Sequence, residues 1–202
     1  MDKTLRSALI LLLITALAGL LVGLAHQLTS EPIRLARERE KTEALRRALP
    51  AADTFRPFET GTPLPGVISV EEGVADERTV GLCVLLDSSG YAGPIRLLVG
   101  IDTDGAITGL EILSLSETPG LGSNAAEEPF RERFKGASAP LAVTKNTPGA
   151  GEIEALSGAT ITTKAVVDGV NLALELFSKD LSRAIGREKD GAQAVPAGGE
   201  TE

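Results

Sequence analysis

The sequence predicts an α+β protein with a single N-terminal transmembrane helix followed by a mostly antiparallel twisted sheet flanked by helices. Three observations predict it. Residues 7–25 read SALILLLITALAGLLVGLA, nineteen residues without a charge, close to the roughly 20 that cross a hydrocarbon core as a helix. Residues 79–86, 95–101 and 106–113 are strand-like runs separated by Asp-Ser-Ser-Gly and Asp-Thr-Asp-Gly turn chemistry, and gaps this short suit an antiparallel meander. Val166, Val170, Leu174, Phe177, Leu181 and Ile185 follow one another at intervals of three or four, which puts one apolar stripe on one face of a final helix.

The totals bound what the chain can do. Its 202 residues suffice for one domain with a real core plus appendages. With 28 acidic against 20 basic residues the formal net charge is −8, which repels a phosphate backbone, so nucleic acid is not an expected partner. A lone cysteine, Cys83, excludes an intrachain disulfide, and a lone histidine, His26, excludes a Ser-His or Cys-His relay and an ordinary zinc cluster. Cys83 lies in an apolar run and reads as a buried, inert thiol.

From the N-terminus, residues 1–6 precede a span at 7–26. Gly23 and Ala25 satisfy a small-x-small cleavage rule, but the apolar run exceeds a signal-peptide h-region of about 7–15 residues, so an uncleaved anchor is expected. Lys3 and Arg6 precede the span, and Arg34, Arg37, Arg39 and Lys41 follow it. Long domains translocate largely regardless of charge, so the expectation is N-terminus inside and domain outside. Residues 27–50 form a juxtamembrane stalk, with Pro32 in the first turn of a second helix that ends before Pro50. Arg39 with Glu43 and Glu43 with Arg47 are each one helical turn apart.

The globular domain is assigned to residues 51–186. Residues 56–66, rich in Pro, Gly and Thr, read as a loop. Residues 124–134 read as a short helix despite Pro129, and 141–144 and 151–156 as two further strands around Pro148-Gly149. Residues 187–202 lack periodicity and apolar content and read as a disordered tail.

The stretch LSGATITT, residues 156–163, stands where the last helix begins. The first N–H groups of a helix lack intrahelical partners and the macrodipole is positive there, a prepared seat for phosphate. Gly158 and Ala159 keep the turn narrow, while Ser157, Thr160, Thr162 and Thr163 offer hydroxyls that can cap, donate to phosphate oxygens or react. An ordinary N-cap at Thr162 or Thr163 after a Ser-Gly turn uses the same residues without a ligand. In SETPGLGSN, residues 116–124, Pro119-Gly120 is placed for a type II turn; the glycines let a flat ring approach the main chain, and a plain polar loop is the alternative.

ETPGLG and SGAT, forty residues apart, preceded by GYAGPIRLLVGIDTDGAI and one N-terminal span, resemble the FMN-binding subunits of respiratory membrane complexes. The resemblance in size and order is to the G subunits of Rnf electron-transport complexes, and next to the C subunits of sodium-pumping NADH:quinone oxidoreductases. It covers the chain from the anchor to about Ile185. It implies an FMN-binding domain with FMN esterified through its phosphate to Thr160, attached by a separate flavin transferase that uses FAD. It also implies that Glu117, Thr118, Pro119, Gly120, Leu121 and Gly122 line the flavin site, and that Ser157, Gly158, Ala159, Thr162 and Thr163 surround the phosphate. Where members of the family carry an aspartate three residues before the serine of SGAT, this chain has Glu154.

The function so implied is a membrane-anchored electron carrier in an ion-translocating ferredoxin:NAD oxidoreductase complex. Its partners would be other subunits of that complex, the transferase and membrane lipid. Its place would be the prokaryotic inner membrane, with the soluble domain on the periplasmic side. No Trp, one Tyr and five Phe suit a partly exposed flavin. A non-redox membrane-anchored binding or assembly domain is the rival. No free-standing active site is evident: a flavin reductase would need a hydride partner site, and the domain has no histidine, loop cysteine or dinucleotide fingerprint.

Overall fold

The computed structural model describes residues 3–61, 64–138 and 140–192, with the backbone alone at 3, 4, 32, 35 and 37 and from 180 onward. The chain divides into residues Met1–Glu43 and Ala44–Glu202. The first helix, α1, covers Lys3–Ala48, and its segment Leu5–Glu31 is long and apolar enough to cross a membrane. A helix can do so because all its backbone groups pair within the segment. The sequence predicts a break before Pro32; instead the helix is continuous through it. An internal proline costs about 3 kcal/mol, and the good helix formers Leu, Ala, Arg, Glu and Lys that follow it offset that cost. Beyond the apolar stretch Arg34 pairs with Glu31 at 2.7 Å and with Glu38 at 2.8 Å, spacings that support an exposed helix.

The main sheet has five antiparallel strands in chain order: β1 (Thr54–Pro57), β2 (Val67–Ala75), β3 (Arg78–Ser89), β4 (Pro94–Asp102) and β5 (Ile107–Ser114). The three expected runs are β3 to β5. Two strands are additional, and Arg56 and Pro57, read as loop, belong to β1. VISVEEGVA escapes a pattern search because Glu71 and Glu72 sit side by side in it, and both are buried. The turn after Asp102 is as expected: its Oδ1 accepts the N–H groups of Asp104 and Ala106, both at 2.9 Å, and Gly105 takes φ 85°, a left-handed conformation that glycine adopts without a Cβ clash.

Glu72 accepts a hydrogen bond from Arg56 at 2.6 Å and another from the Thr79 hydroxyl. The Arg56 guanidinium, helped by Thr79 and opposed by burial, holds the Glu72 carboxyl below its ordinary range. Asp87 is lowered in the same way by Arg96, which reaches both its oxygens at 2.8 Å. A carboxyl whose folded pKa is depressed contributes stability above its unfolded pKa and loses it as pH falls through the folded value. Glu72→Gln is therefore expected to flatten the fall of Tm on acidification below about pH 4, as followed by circular dichroism; an acid limb unchanged by the substitution would remove Glu72 from the account.

Both faces of β3 and β4 are buried. On one, Leu82, Val84, Leu86, Leu97 and Val99 pack with Val166, Val170 and Leu176 of the last helix, α3 (Thr160–Ala192), and with Phe130 and Phe134. On the other, Cys83 and Leu98 pack with Ala44, Leu45, Ala48 and Leu49 at the end of α1. Burial, and secondarily the charge of Glu71, pushes the Cys83 thiol up to about 12, consistent with an inert group. The end of α1 comes so close that a Cβ on Gly100 would collide with the Ala48 carbonyl, and one on Gly109 would lie 2.8 Å from the Arg47 carbonyl oxygen. Thr108 Oγ1 donates to that Ala48 oxygen at 2.5 Å. In Gly100→Ala the two nearest obstacles are backbone atoms of Ala48, with Thr108 Oγ1 next at 2.9 Å, and the substitution is expected to cost about 1–3 kcal/mol by overpacking, measurable as a lowered urea midpoint.

The remaining elements depart from expectation in three ways. The helix predicted at 124–134 is split into a 3₁₀ turn at Gly122–Ala126, a short helix α2 at Glu128–Arg131 and a second 3₁₀ turn at Glu132–Phe134, with Pro129 in the first turn of α2, the position a proline tolerates. β6 (Ala142–Thr144) and β7 (Glu152–Glu154) pair with each other in parallel and stand outside the main sheet. α3 reaches Ala192, six residues beyond Gly186, so 187–192 is helix rather than tail, in keeping with the propensity of Arg187, Glu188 and Lys189. Positions 193–202, and the side chains of Leu181 and Ile185, lie outside the described residues.

Candidate functional site

Local sequence shapes the entry to α3. Gly158 takes φ 73°, reversing the chain just before the helix. Thr163, fully buried, accepts the Leu156 N–H on its Oγ1 and donates to the Ala159 carbonyl, both at 3.0 Å. It thus holds the turn shut from inside the helix. Because α3 begins at Thr160, neither Thr162 nor Thr163 is its N-cap.

Thr162, 1% exposed, has another partner: its hydroxyl donates to Glu117 Oε2 at 2.9 Å. The other carboxylate oxygen of Glu117 accepts the N–H groups of Tyr91 at 2.8 Å and Ala92 at 3.2 Å. This buried side chain, 8% exposed, joins three segments distant in sequence: the β3–β4 turn, the ETPGLG loop and the first turn of α3. Two glycines make room for it. A Cβ on Gly90 would collide with Glu117 Oε1, and one on Gly122 would lie 2.7 Å from Thr162 Oγ1 and 2.8 Å from Glu117 Oε2.

Around this junction is a cavity of about 520 Å³ lined by Tyr91, Glu117, Thr118, Leu121, Gly122, Gly158, Ala159, Thr160, Ile161 and Thr162, within the range of small-ligand sites. The two sequence motifs, forty positions apart, therefore meet. Of the remaining candidates, Pro119 and Gly120 shape the loop, with Gly120 at φ 75° as the type II turn requires and its N–H bonded to Ser123 Oγ at 2.9 Å. Thr163 acts from behind, and Ser157 is exposed beside the cavity lining. Glu154, on β7, takes part in an ion pair with Arg133 at 3.9 Å, and its carbonyl accepts from the same guanidinium at 3.0 Å. Tyr91 and Ile161 are the lining residues that motif reading left out. Tyr91 lies within the quoted GYAGPI stretch, and Ile161 is the neighbour of Thr160.

The donor set fits a phosphorylated, partly apolar ring compound. Thr160 is exposed at the first position of α3 and lines the cavity, and its hydroxyl makes no hydrogen bond among the described residues, beside N–H groups that a helix start leaves unpaired. Tyr91, Leu121 and Ile161 give the cavity exposed apolar surface. The one carboxylate in the lining, Glu117, is already engaged by three donors.

The family model described as FMN-binding domain matches residues 90–175, the stretch that contains this cavity. The chain is 36% identical, over 84% of its length and 89% of the relative's, to the G subunit of the Na(+)-translocating ferredoxin:NAD(+) oxidoreductase complex of Acetobacterium woodii. To the G subunit of the ion-translocating oxidoreductase complex of Methanosarcina acetivorans it is 34% identical, over 83% of its length and 91% of the relative's. The chain belongs to this family, the G subunits of Rnf-type ion-translocating oxidoreductase complexes. A crystal structure of the C subunit of the Na(+)-translocating NADH-quinone reductase from Parabacteroides distasonis aligns with a TM-score of 0.47 and 27% identity, over 55% of this chain and 61% of that one. With its N-terminal apolar helix, the chain is a single-pass membrane protein.

Proposed function

We propose that this chain is the membrane-anchored electron carrier of an Rnf-type ferredoxin:NAD oxidoreductase complex, holding FMN through a phosphoester bond to Thr160. The carrying observation is the division of labour among hydroxyls. Thr162 and Thr163 are buried and bonded, whereas Thr160 is exposed on the cavity wall with its hydroxyl unbonded among the described residues. A hydroxyl that must attack phosphorus in a second protein's active site has to be reachable, and of the three threonines Thr160 alone is. Ser157 is reachable too but is not among the lining residues.

Once the ester has formed, the phosphate keeps one negative charge, and the first N–H groups of α3 face it with the positive end of the helix dipole. Gly158 lets the group approach the main chain closely, while Glu117 and Thr162 keep the loop and the helix start in register. Bound flavin supplies one- or two-electron chemistry, and the protein supplies orientation and electrostatics. A cavity bordered by exposed residues leaves the ring edge open to a neighbouring subunit. The soluble domain belongs on the outer, periplasmic side, where a covalent bond prevents loss of cofactor by dilution. The other members of the complex, the flavin transferase and lipid are its partners.

The test is the intact mass of the full-length chain from its native membrane. The expected result is one added FMN less one water. An unmodified mass in cells whose transferase is active on other substrates would overturn the reading.

A further inference from the structure

We propose that Tyr91 is the ring-contact residue of the site: its phenol lies against the isoalloxazine of the flavin carried on Thr160, at a position set by Glu117. The inference rests on the FMN reading above and assigns a role that the ETPGLG and SGAT motifs do not contain.

Tyr91 is the only tyrosine of a chain without tryptophan, and none of the five phenylalanines lines the cavity. If the protein offers the ring an aromatic face, this is the one residue that can do so. It is a costly residue to display: 69% exposed at a hairpin turn, with its apolar surface in water. Its side chain is exposed while its main chain is tightly held. The Tyr91 N–H is bonded at 2.8 Å to the carboxylate whose other oxygen receives the Thr162 hydroxyl at 2.9 Å, two residues beyond the attachment point. One buried group therefore sets the spacing between aromatic and anchor. The Gly90 N–H bonds back to the Gly93 carbonyl at 2.9 Å, which closes the turn on which Tyr91 stands. An exposed aromatic on a fixed backbone, beside a cavity that ends in the phosphate seat, is placed to cover a planar ligand, and stacked aromatic pairs gain stability beyond their buried area.

The test uses the full-length chain co-expressed with its flavin transferase, with loading of each variant read by intact mass, and time-resolved flavin fluorescence as the main observable. A phenol in contact with excited flavin quenches it by giving up an electron and regaining it. A phenyl ring keeps the contact but does not donate. Tyr91→Phe is expected to lengthen the dominant fluorescence lifetime severalfold without changing loading. Tyr91→Ala is expected to lengthen it as well and, unlike Tyr91→Phe, to raise the rate at which iodide quenches the ring. Loaded Tyr91→Phe protein with the wild-type lifetime would overturn the inference and leave the FMN assignment standing. Wild-type protein without any FMN adduct would overturn both.

Discussion

Thr160→Ala is expected to leave the chain without covalent flavin: the fluorescent band seen after full denaturation and electrophoresis falls to background when the transferase is co-expressed. The expectation depends on reach as well as chemistry. Thr162 and Thr163 also carry hydroxyls, but both are buried, one donating to Glu117 and the other closing the turn onto Ala159. Neither can take over the ester without unwinding the start of α3. Ser157→Ala, in the same SGAT turn but outside the cavity lining, is expected to keep its flavin. Thr160→Ser, which retains an oxygen at the same position, is expected to recover part of the loading. Because the Thr160 side chain is exposed and its hydroxyl is unbonded among the described residues, the alanine variant should unfold within about 0.5 kcal/mol of the parent, so loss of flavin can be separated from loss of fold. Undiminished fluorescence in Thr160→Ala would move the attachment point elsewhere.

Glu117→Ala carries the second large effect. It leaves the buried Thr162 hydroxyl and the part-buried Tyr91 and Ala92 N–H groups without their acceptor; an orphaned buried donor costs about 1–3 kcal/mol, and the two part-buried groups cost less. Water entering the vacated space recovers part of this. The net destabilisation is expected near 3 kcal/mol, or a fall in Tm of roughly 6–12 °C for a chain of this size. Flavin loading should fall with it, because the ETPGLG loop and the first turn of α3 lose their common anchor. Glu117→Gln separates shape from charge. Its amide oxygen can still accept from Tyr91 and Ala92 while its NH₂ donates to the Thr162 hydroxyl, so about 1 kcal/mol is expected to be lost and most loading kept. A Gln variant as unstable as the Ala variant would show that the negative charge, not the hydrogen-bond geometry, holds the junction.

How far the sequence reaches depends on the range of the interaction that decides each feature. The anchor was legible because apolar length is a local property, and so were the β3–β5 meander, whose turns announce themselves in Asp and Gly, and the α3 stripe through Val166, Val170 and Leu174. The type II turn at Pro119-Gly120 was likewise written in a few adjacent residues. β1 and β2 were not, since Glu71 and Glu72 interrupt the apolar pattern and find a place only because Arg56 and Thr79 are brought to Glu72 by pairing across strands. Nor was the parallel register of β6 with β7, or the glycine seat of Gly100 and Gly109, whose need for hydrogen in place of a methyl group appears only where the end of α1 lands.

The same division runs through the site. The amino-acid sequence by itself determined the family, the membrane-spanning segment and the two motifs, because these follow from residue identity and short spacing. Tertiary structure alone decided that Glu117, Tyr91 and Thr162 share one buried carboxylate, and which hydroxyl stays exposed. The physical reason is that a hydrogen bond between residues 26 or 45 positions apart depends on how three loops are folded together, a relation that no local pattern encodes.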